Sequence, residues 1–365
     1  MKIALLGAGH IGQTIARQLS DSGDYDVTVV DRSAAALARV NGSAARTLQA
    51  DTEDAQALLQ AIRGHEAVVN ALPYHLATLV ATQARAAGCH YFDLTEDVAA
   101  TRAIKQLADG ADTAFMPQCG LAPGFIGIVA YHLARDFDAL HDVQMRVGAL
   151  PAFPTNALKY NLTWSVDGLI NEYCHPCEAI RGGERIEVLP LEGLEHFSLD
   201  GVEYEAFNTS GGLGTLCETL DGKVRSLDYK SVRYPGHGAA MKLLLDDLRS
   251  DQDDQQTLKD IMRKSIPSTM QDVVLVFVTV SGLRNGALMQ DVFARKIFAD
   301  RSAAEPLSAI QITTAAGICA AVDLFREGKL PQRGFIRQEQ IALPDFLANR
   351  FGNAYQQSRQ VESIG

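Results

Sequence analysis

The chain has 365 residues, which at roughly 150 residues per domain suggests about two domains. It is 47% apolar and 21% charged, ordinary values for a globular protein that buries a sizeable core. Lys and Arg total 33 against 44 Asp and Glu, a net charge of −11 with no basic block, which argues against a nucleic-acid binder. No apolar run is expected to reach the roughly 18 residues of a membrane-crossing helix. Residues 1–6 run into glycines with no small-residue cleavage pattern, so no signal peptide is expected. Cys89, Cys119, Cys174, Cys177, Cys217 and Cys319 are scattered, unlike a disulfide scaffold, and a cytoplasmic enzyme with free thiols is the expectation.

Residues 2–6 are a continuous apolar run, as in a strand buried on both faces. Gly7, Ala8, Gly9, His10, Ile11 and Gly12 follow, and a helix-period stretch continues to about residue 19. Residues 26–31 read as a second strand, 34–40 as a helix, 46–51 as a weaker strand, 54–62 as a helix and 67–72 as a clear strand. Residues 76–87 are Ala-rich and helical and stop at Gly88, as at a left-handed C′ position. Strands at 90–94 and 113–117 complete the series. This alternation predicts right-handed βαβ units and a doubly wound parallel sheet.

The glycine spacing then acquires a mechanism. Gly7 permits the tight turn out of the strand, Gly9 lets the backbone approach a pyrophosphate, and Gly12 lets the helix pack closely on the sheet. Asp31 stands at the end of the second strand, 19 residues after Gly12, where a carboxylate accepts hydrogen bonds from the adenine ribose. It would repel the 2′-phosphate of NADP, which favours NAD, although the following Arg32 offers a phosphate partner. Ligands in such sheets lie beyond the carboxyl ends of the strands. Asp51 there either meets the adenine or caps the next helix. Asn70, Ala71, Leu72 and Pro73, together with Cys119, Gly120 and Leu121, suit the nicotinamide end, and Leu94 lines the same crevice.

After residue 124 the alternation is lost. Residues 125–134 look helical; 143–150, 185–191, 202–207, 224–231 and 273–280 read as strands of an antiparallel or mixed sheet. Helices are expected at 164–173, 239–248 and 255–264, with a polar loop and helix start at 249–256. A late apolar helix at 313–327 is expected to be buried and to return to the first domain. Cys174, His175, Pro176 and Cys177 have CxxC spacing, but one pair cannot complete a four-ligand zinc site, so inert thiols and no metal are expected.

Six segments recur here in a familiar order. They are Gly7 to Gly12; Asn70, Ala71, Leu72, Pro73, Tyr74; Cys119, Gly120, Leu121, Ala122, Pro123, Gly124; Lys159, Tyr160, Asn161, Leu162, Thr163, Trp164, Ser165 with Gly168; Thr209, Ser210, Gly211, Gly212; and Lys230 through Tyr234, Pro235, Gly236, His237. Over nearly the whole chain the sequence resembles the saccharopine dehydrogenase family, and within it the L-lysine 6-dehydrogenase branch. The resemblance implies an α/β protein: a Rossmann domain at 1–124, a substrate and dimerisation domain with a mixed sheet at 125–312, and a C-terminal helical segment at 313–365 that packs back on the first domain. It implies a homodimer or higher homo-oligomer acting on a small amino acid, with NAD favoured by Asp31. The implied reaction is oxidative deamination at the ε-carbon of L-lysine. It gives 2-aminoadipate 6-semialdehyde, which cyclises to 1-piperideine-6-carboxylate, and ammonia. Oxidoreduction of saccharopine or carboxynorspermidine is the alternative within the family. A non-catalytic NAD sensor is a third reading, against which the second-half segments argue.

An alkylammonium, with pKa about 10.4, cannot release hydride until it is deprotonated, so the site needs a base or selects the neutral amine. Asp93, Glu96, Asp97, Tyr160, Asp167 and His237 are the candidates. His237 follows a Pro-Gly turn and titrates in a suitable range, or it caps the helix that follows. Asp97 reads rather as a helix cap. Tyr160 and Lys159 either contact substrate or, for the Tyr, fill core. Arg233 would clamp the α-carboxylate bidentately, the alternative being a surface Arg at a strand end. The resemblance places Ser231, Thr209 and Ser210 in substrate-contacting segments. Trp164 walls the pocket or packs in the core, and Asp93 completes the substrate set.

Overall fold

The structure is a computed structural model that describes residues 1–40, 43–248, 252–300 and 306–356. An uninterrupted apolar strand needs cover on both faces, and Ile3, Ala4, Leu5 and Leu6 have it, with no exposed surface at all. They belong to β1 (Lys2–Leu6), followed by β2 (Asp26–Asp31), β3 (Arg46–Gln49), β4 (Ala67–Asn70), β5 (His90–Asp93) and β6 (Ala114–Met116). With the two-residue strand Gly334–Phe335 they form a sheet in the order Gly334–Phe335, β6, β5, β4, β1, β2, β3, and every neighbouring pair is parallel. The strand order reverses between β1 and β4, so the ends of these two strands mark the switch point of a doubly wound sheet. The weak signal of β3 has a cause: it is an edge strand whose four residues are all exposed.

This sheet lies in the first of two compact units, residues 1–128 with 311–354. The late helix is Ala309–Arg326, and from Gln311 on it belongs to this unit. At 18 residues it is long and apolar enough to cross a membrane by length and composition alone, against the expectation that no run reaches that length. Its Ala315, Ile318, Cys319, Val322 and Phe325 are buried in the protein, which makes it a core helix. Near its end the buried Asp323 carboxylate accepts hydrogen bonds from Tyr25, Asn349 and Arg350, tying three distant segments together.

The second unit, residues 129–310 with the chain from Tyr355, holds the mixed sheet. Its strands are β7 (Ala139–Pro151), β8 (Cys177–Arg181), β9 (Glu184–Val188), β10 (Glu195–Leu199), β11 (Val202–Asn208), β12 (Val224–Arg233), β13 (Asp272–Arg284) and β14 (Ala287–Phe298). The order is β10, β11, β12, β7, β13, β14, with β8 also on β12 and β9 on β8. Only β12 and β7 pair in parallel among the described strands. On β13, residues 272–276 are all buried; beyond them Val278 and Val280 are wholly buried while Phe277, Thr279 and Ser281 are half-buried, the period of a sheet packed on one face.

Sequence reasoning missed β8, β10 and β14. β14 carries Asp291, Arg295 and Lys296 among apolar residues, because an edge strand with a solvated face lacks the clean alternation of a central one. Helices run over Val166–Cys174 and Gln252–Ser265. The expected loop at 249–256 lies partly outside the described residues, and from Gln252 it is helix. The helix expected at 239–248 starts earlier, as His237–Lys242, and continues as a π-helical turn, Leu243–Asp247.

Candidate cofactor and substrate sites

In the first unit the chain leaves β1 through Gly7 at φ +100°, a conformation that L side chains rarely adopt. A Cβ on Gly12 would lie 2.0 Å from the Gly7 carbonyl oxygen, so only glycine lets the helix pack this closely. Gly9 is different: a Cβ there would meet nothing within 4 Å. It sits at the start of the helix His10–Asp21, which has no side-chain cap and no acidic residue in its first turn. Uncapped N–H groups behind an open glycine are a cradle for an anion. His10 is exposed and Ile11 half-buried beside it.

Asp31 ends β2 directly against this turn. Its carboxylate accepts hydrogen bonds from the N–H groups of Ala8 (2.7 Å) and Ser33 (2.8 Å). Arg32 points to solvent and pairs with Glu53 at 2.7 Å, so its charge is partly met by the protein. Asp51 accepts from the Glu53 N–H in a local turn, and the cap of the next helix is Asp54, which accepts from the Ala57 N–H; the capping alternative for Asp51 is thereby corrected.

Asn70, at the end of β4, accepts from the Leu72 N–H and donates to the Tyr91 hydroxyl. Ala71 comes close to the glycine turn, its carbonyl oxygen 2.9 Å from where a Gly7 Cβ would stand. Pro73 leads into a short 3-10 turn. On the other side, Leu94 lies against Gly120, Cys119 donates its N–H to the Asp93 carbonyl, and Leu121 is buried. A Cβ on Gly124 would stand 2.1 Å from the Gly120 carbonyl oxygen, which explains the second glycine of that segment. The Cys119 thiol is buried, donates to the Met116 carbonyl, and is held in the neutral form by burial.

Asp93, assigned to substrate from sequence, is a buried anchor. Its carboxylate accepts from the Tyr91 hydroxyl (2.7 Å), the Thr95 N–H (3.0 Å) and the Gln118 N–H (2.8 Å), and burial pushes it up to about 6. Three donors on a fully buried carboxylate correct the substrate reading to one of holding the ends of β5 and β6. Asp97 caps the helix Val98–Ala108 through the Ala100 N–H. Between them Glu96 is half-buried, and burial with the neighbouring Asp97 and Asp93 charges raises its carboxyl to about 7.

In the second unit Arg233, at the end of β12, is buried rather than the surface Arg of the alternative reading. Its guanidinium lies 5.4 Å from the Tyr160 ring centre and 5.9 Å from that of Tyr173. Nε donates to the Tyr173 hydroxyl at 2.9 Å and Nη1 to the Val232 carbonyl at 2.8 Å. Among the described residues no carboxylate comes within ion-pair distance of it; Glu172 acts on its charge from farther away. The other buried cations of this unit are matched. Arg146 pairs with Glu195 and Asp228, and Lys230 pairs with Glu195 and the Gly193 carbonyl.

Two catalytic assignments need correction. His237 is wholly buried with both ring nitrogens engaged, Nδ1 with the Leu158 carbonyl at 2.9 Å and Nε2 with the Tyr173 hydroxyl at 3.1 Å. Burial and the Arg233 charge lower it to about 3, so it is neutral at ordinary pH and open to no substrate proton. Nor is it the cap. The buried Glu205 carboxylate of β11 accepts from the N–H groups of Gly236 and Gly238, which starts the helix early. Tyr160 is also wholly buried, and burial raises its phenol, which disqualifies it as a base.

Thr209 and Ser231 hydrogen-bond each other at 2.8 Å, both buried, and Ser210 donates its N–H to the Glu172 carbonyl. Trp164 packs on the cluster of Tyr160, Leu169, Tyr173 and Met241, its core reading. Asp167 is spent on Arg263 and Lys259, and Lys159 donates to the Pro235 carbonyl. Cys174 and Cys177 are free thiols raised by burial. Tyr173 and Glu205 were missed. Tyr173 continues the apolar helix face of Val166, Leu169 and Ile170, so its spacing reads only as core.

The parallel sheet, its switch point and the glycine cradle define a dinucleotide-binding α/β protein. Residues 3–115 match the saccharopine dehydrogenase NADP binding domain and residues 120–352 the saccharopine dehydrogenase C-terminal domain. The chain belongs to the saccharopine dehydrogenase family and is an oxidoreductase with a nicotinamide cofactor and a small-molecule substrate. It is similar in fold to saccharopine dehydrogenase (L-Glu forming) from Saccharomyces cerevisiae, at 17% identity over 94% of this chain and 96% of that one, with a TM-score of 0.76. A myo-inositol dehydrogenase from Corynebacterium glutamicum is more distant, at 15% identity over 98% and 96% of the two chains, with a TM-score of 0.45.

The open position at Gly9 makes a clean test of the cradle. Gly9→Ala places its methyl in free space, so Tm is expected to stay within about 2 °C of the original, while the pyrophosphate loses its approach and cofactor Kd rises by about tenfold or more. Unchanged cofactor affinity, measured by nucleotide fluorescence titration, would contradict the placement.

Proposed function

We propose that the protein oxidises the ε-carbon of L-lysine with NAD+, releasing ammonia and 2-aminoadipate 6-semialdehyde, which cyclises to 1-piperideine-6-carboxylate. The observation that carries this reading is Arg233, a buried guanidinium with no carboxylate in ion-pair contact among the described residues. Such a charge is costly to hold unless a ligand supplies the anion. Arg146 and Lys230 already have theirs, so the second unit offers one buried unmatched cation among its described residues. That supports a substrate with one carboxylate. Saccharopine carries three and is the weaker candidate.

NAD is the cofactor in this reading. A 2′-phosphate near the end of β2 would face the Asp31 carboxylate, while Arg32 is engaged by Glu53. The cofactor, when bound, would supply a hydride acceptor at its nicotinamide. The glycine turn and helix N-terminus would hold its pyrophosphate, and Asp31 would accept from the ribose hydroxyls. Arg233 orients the substrate through its carboxylate. Glu96, at the carboxyl end of the parallel sheet and half-buried, is the group we assign to accept the ammonium proton. A homodimer belongs to the same reading, supported by exposed Leu288, Met289 and Val292 on the edge strand β14. A cytoplasmic location is likewise part of the proposal.

Arg233→Ala removes a buried charge-assisted pair worth about 2–5 kcal/mol, so kcat/KM for L-lysine should fall at least about thirtyfold with KM for NAD+ nearly unchanged; an unaltered lysine KM in steady-state assays would contradict the clamp. Asp31→Ser should relax the preference for NAD+ over NADP+, and equal turnover of both by the unmutated protein would defeat the reading of Asp31. Glu96 is ionised above about pH 7 and protonated below it, so activity should decline as pH falls through that value. Glu96→Gln should lose most activity near pH 7–8 and recover part of it toward pH 10, where the neutral amine is available without a base. A pH profile of kcat/KM in which the variant tracks the original at every pH would remove Glu96 from the role.

A further inference from the structure

The geometry points to His237 as a positioning residue that aims Arg233 through Tyr173 and Leu158, a role that rests on the carboxylate-receiving function given to Arg233 above. The Leu158 carbonyl can only accept, so Nδ1 of the ring carries the hydrogen at that 2.9 Å contact. The ring is neutral, because burial and the Arg233 charge disfavour the cation, and Nε2 is therefore a bare acceptor. The Tyr173 hydroxyl must then donate to Nε2 at 3.1 Å. Its oxygen lone pair is left to accept from Arg233 Nε at 2.9 Å. Every donor and acceptor along Leu158, His237, Tyr173 and Arg233 is thus set in one direction by a single tautomer.

The consequence falls on the guanidinium. Nε is spent on Tyr173 and Nη1 is tied to the Val232 carbonyl, which leaves the edge bearing Nη2 without a protein partner among the described residues. A planar fork held at Nε and Nη1 cannot rotate, so the free edge has one direction. The same imidazole steadies the cover of the cation. Leu158 leads through Lys159, at φ +52°, into Tyr160, whose ring lies 5.3 Å from the imidazole and 5.4 Å from the guanidinium carbon. The charged and titratable groups packed on His237 are Arg233, Tyr173 and Tyr160, with the Phe207 ring stacked on its other side.

The test uses the full chain, four single variants and one double variant that combines Tyr173→Phe with His237→Asn. His237→Asn keeps a donor for Leu158 and removes the acceptor for Tyr173; His237→Gln restores an acceptor near the Nε2 position; Tyr173→Phe breaks the link itself; Arg233→Ala is the reference. Tyr173→Phe and His237→Asn should each raise KM for L-lysine by about tenfold to a hundredfold, with KM for NAD+ and the pH profile of kcat unmoved. The double variant should be no worse than the worse single, since both cut one chain, and His237→Gln should recover most of the loss. Multiplicative effects, a lysine KM unchanged in His237→Asn, or loss of the acidic limb of the kcat profile would overturn the inference. If Arg233→Ala leaves lysine KM unchanged, the carboxylate reading falls and this inference with it. If Arg233→Ala raises KM and His237→Asn does not, the positioning role alone falls. Nitrogen NMR of the unmutated protein gives a readout free of folding effects: His237 should show Nδ1 protonated and Nε2 bare from pH 6 to 9, and a titration within that range would overturn the assignment.

Discussion

A buried guanidinium, Arg233, with no carboxylate partner among the described residues is the constraint on which the second unit depends. Removing an ion from water costs several kcal/mol even after relaxation, and the usual remedy is a counter-ion with satisfied hydrogen bonds. Arg146 has that remedy in Glu195 and Asp228. Arg233 has two aromatic rings, one phenol and one carbonyl, which offset only part of the cost. Functional sites hold such imbalances and the surrounding fold supports them. Helix Val166–Cys174 brings Tyr173, the segment after β7 brings Tyr160, and Glu205 fixes the turn that carries His237. Each is buried, so the cation is preorganised instead of being gathered on binding.

The first unit solves a different problem, the close approach of backbone to an anion. Gly7 and Gly12 are required by the turn itself, one by its positive φ and the other by a 2.0 Å clash that any Cβ would create. A Cβ on Gly9 would meet no described residue within 4 Å, and its role is the space it leaves. The two raised carboxyls at the end of β5 and just beyond it differ by environment. Asp93 accepts from three donors and holds strand ends together, whereas the Glu96 carboxyl is raised by burial to about 7, near neutrality.

Much of the parallel sheet was legible in the sequence because strands buried on both faces read as plain apolar runs, and the glycine spacing with Asp31 located the turn. The edge strand β14 was not, since its charged residues on a half-solvated strand erase the alternation. The site was legible in residue identity more than in role. Arg233 follows from the need for a cation, but its burial is set by Tyr160, Tyr173 and the strand beside it, which lie far away in sequence. His237 shows the limit most clearly. A His after Pro-Gly reads as an exposed turn residue, and only the packing of Phe207, Tyr173 and Leu158 around it turns it into a neutral, wholly buried ring. Asp51 and Asp54 both precede the same helix, and spacing alone does not say which of them accepts the Ala57 N–H.

In the proposed function, the one buried cation that has no carboxylate partner among the described residues of the second unit selects a substrate with one carboxylate. The most direct measurement is NAD+ reduction followed at 340 nm with L-lysine, cadaverine and saccharopine on the same preparation. The account predicts turnover of L-lysine with kcat/KM at least about thirtyfold above that of cadaverine, which lacks the carboxylate Arg233 would receive, and little or none with saccharopine. Cadaverine used as well as lysine, or saccharopine preferred to both, would contradict it.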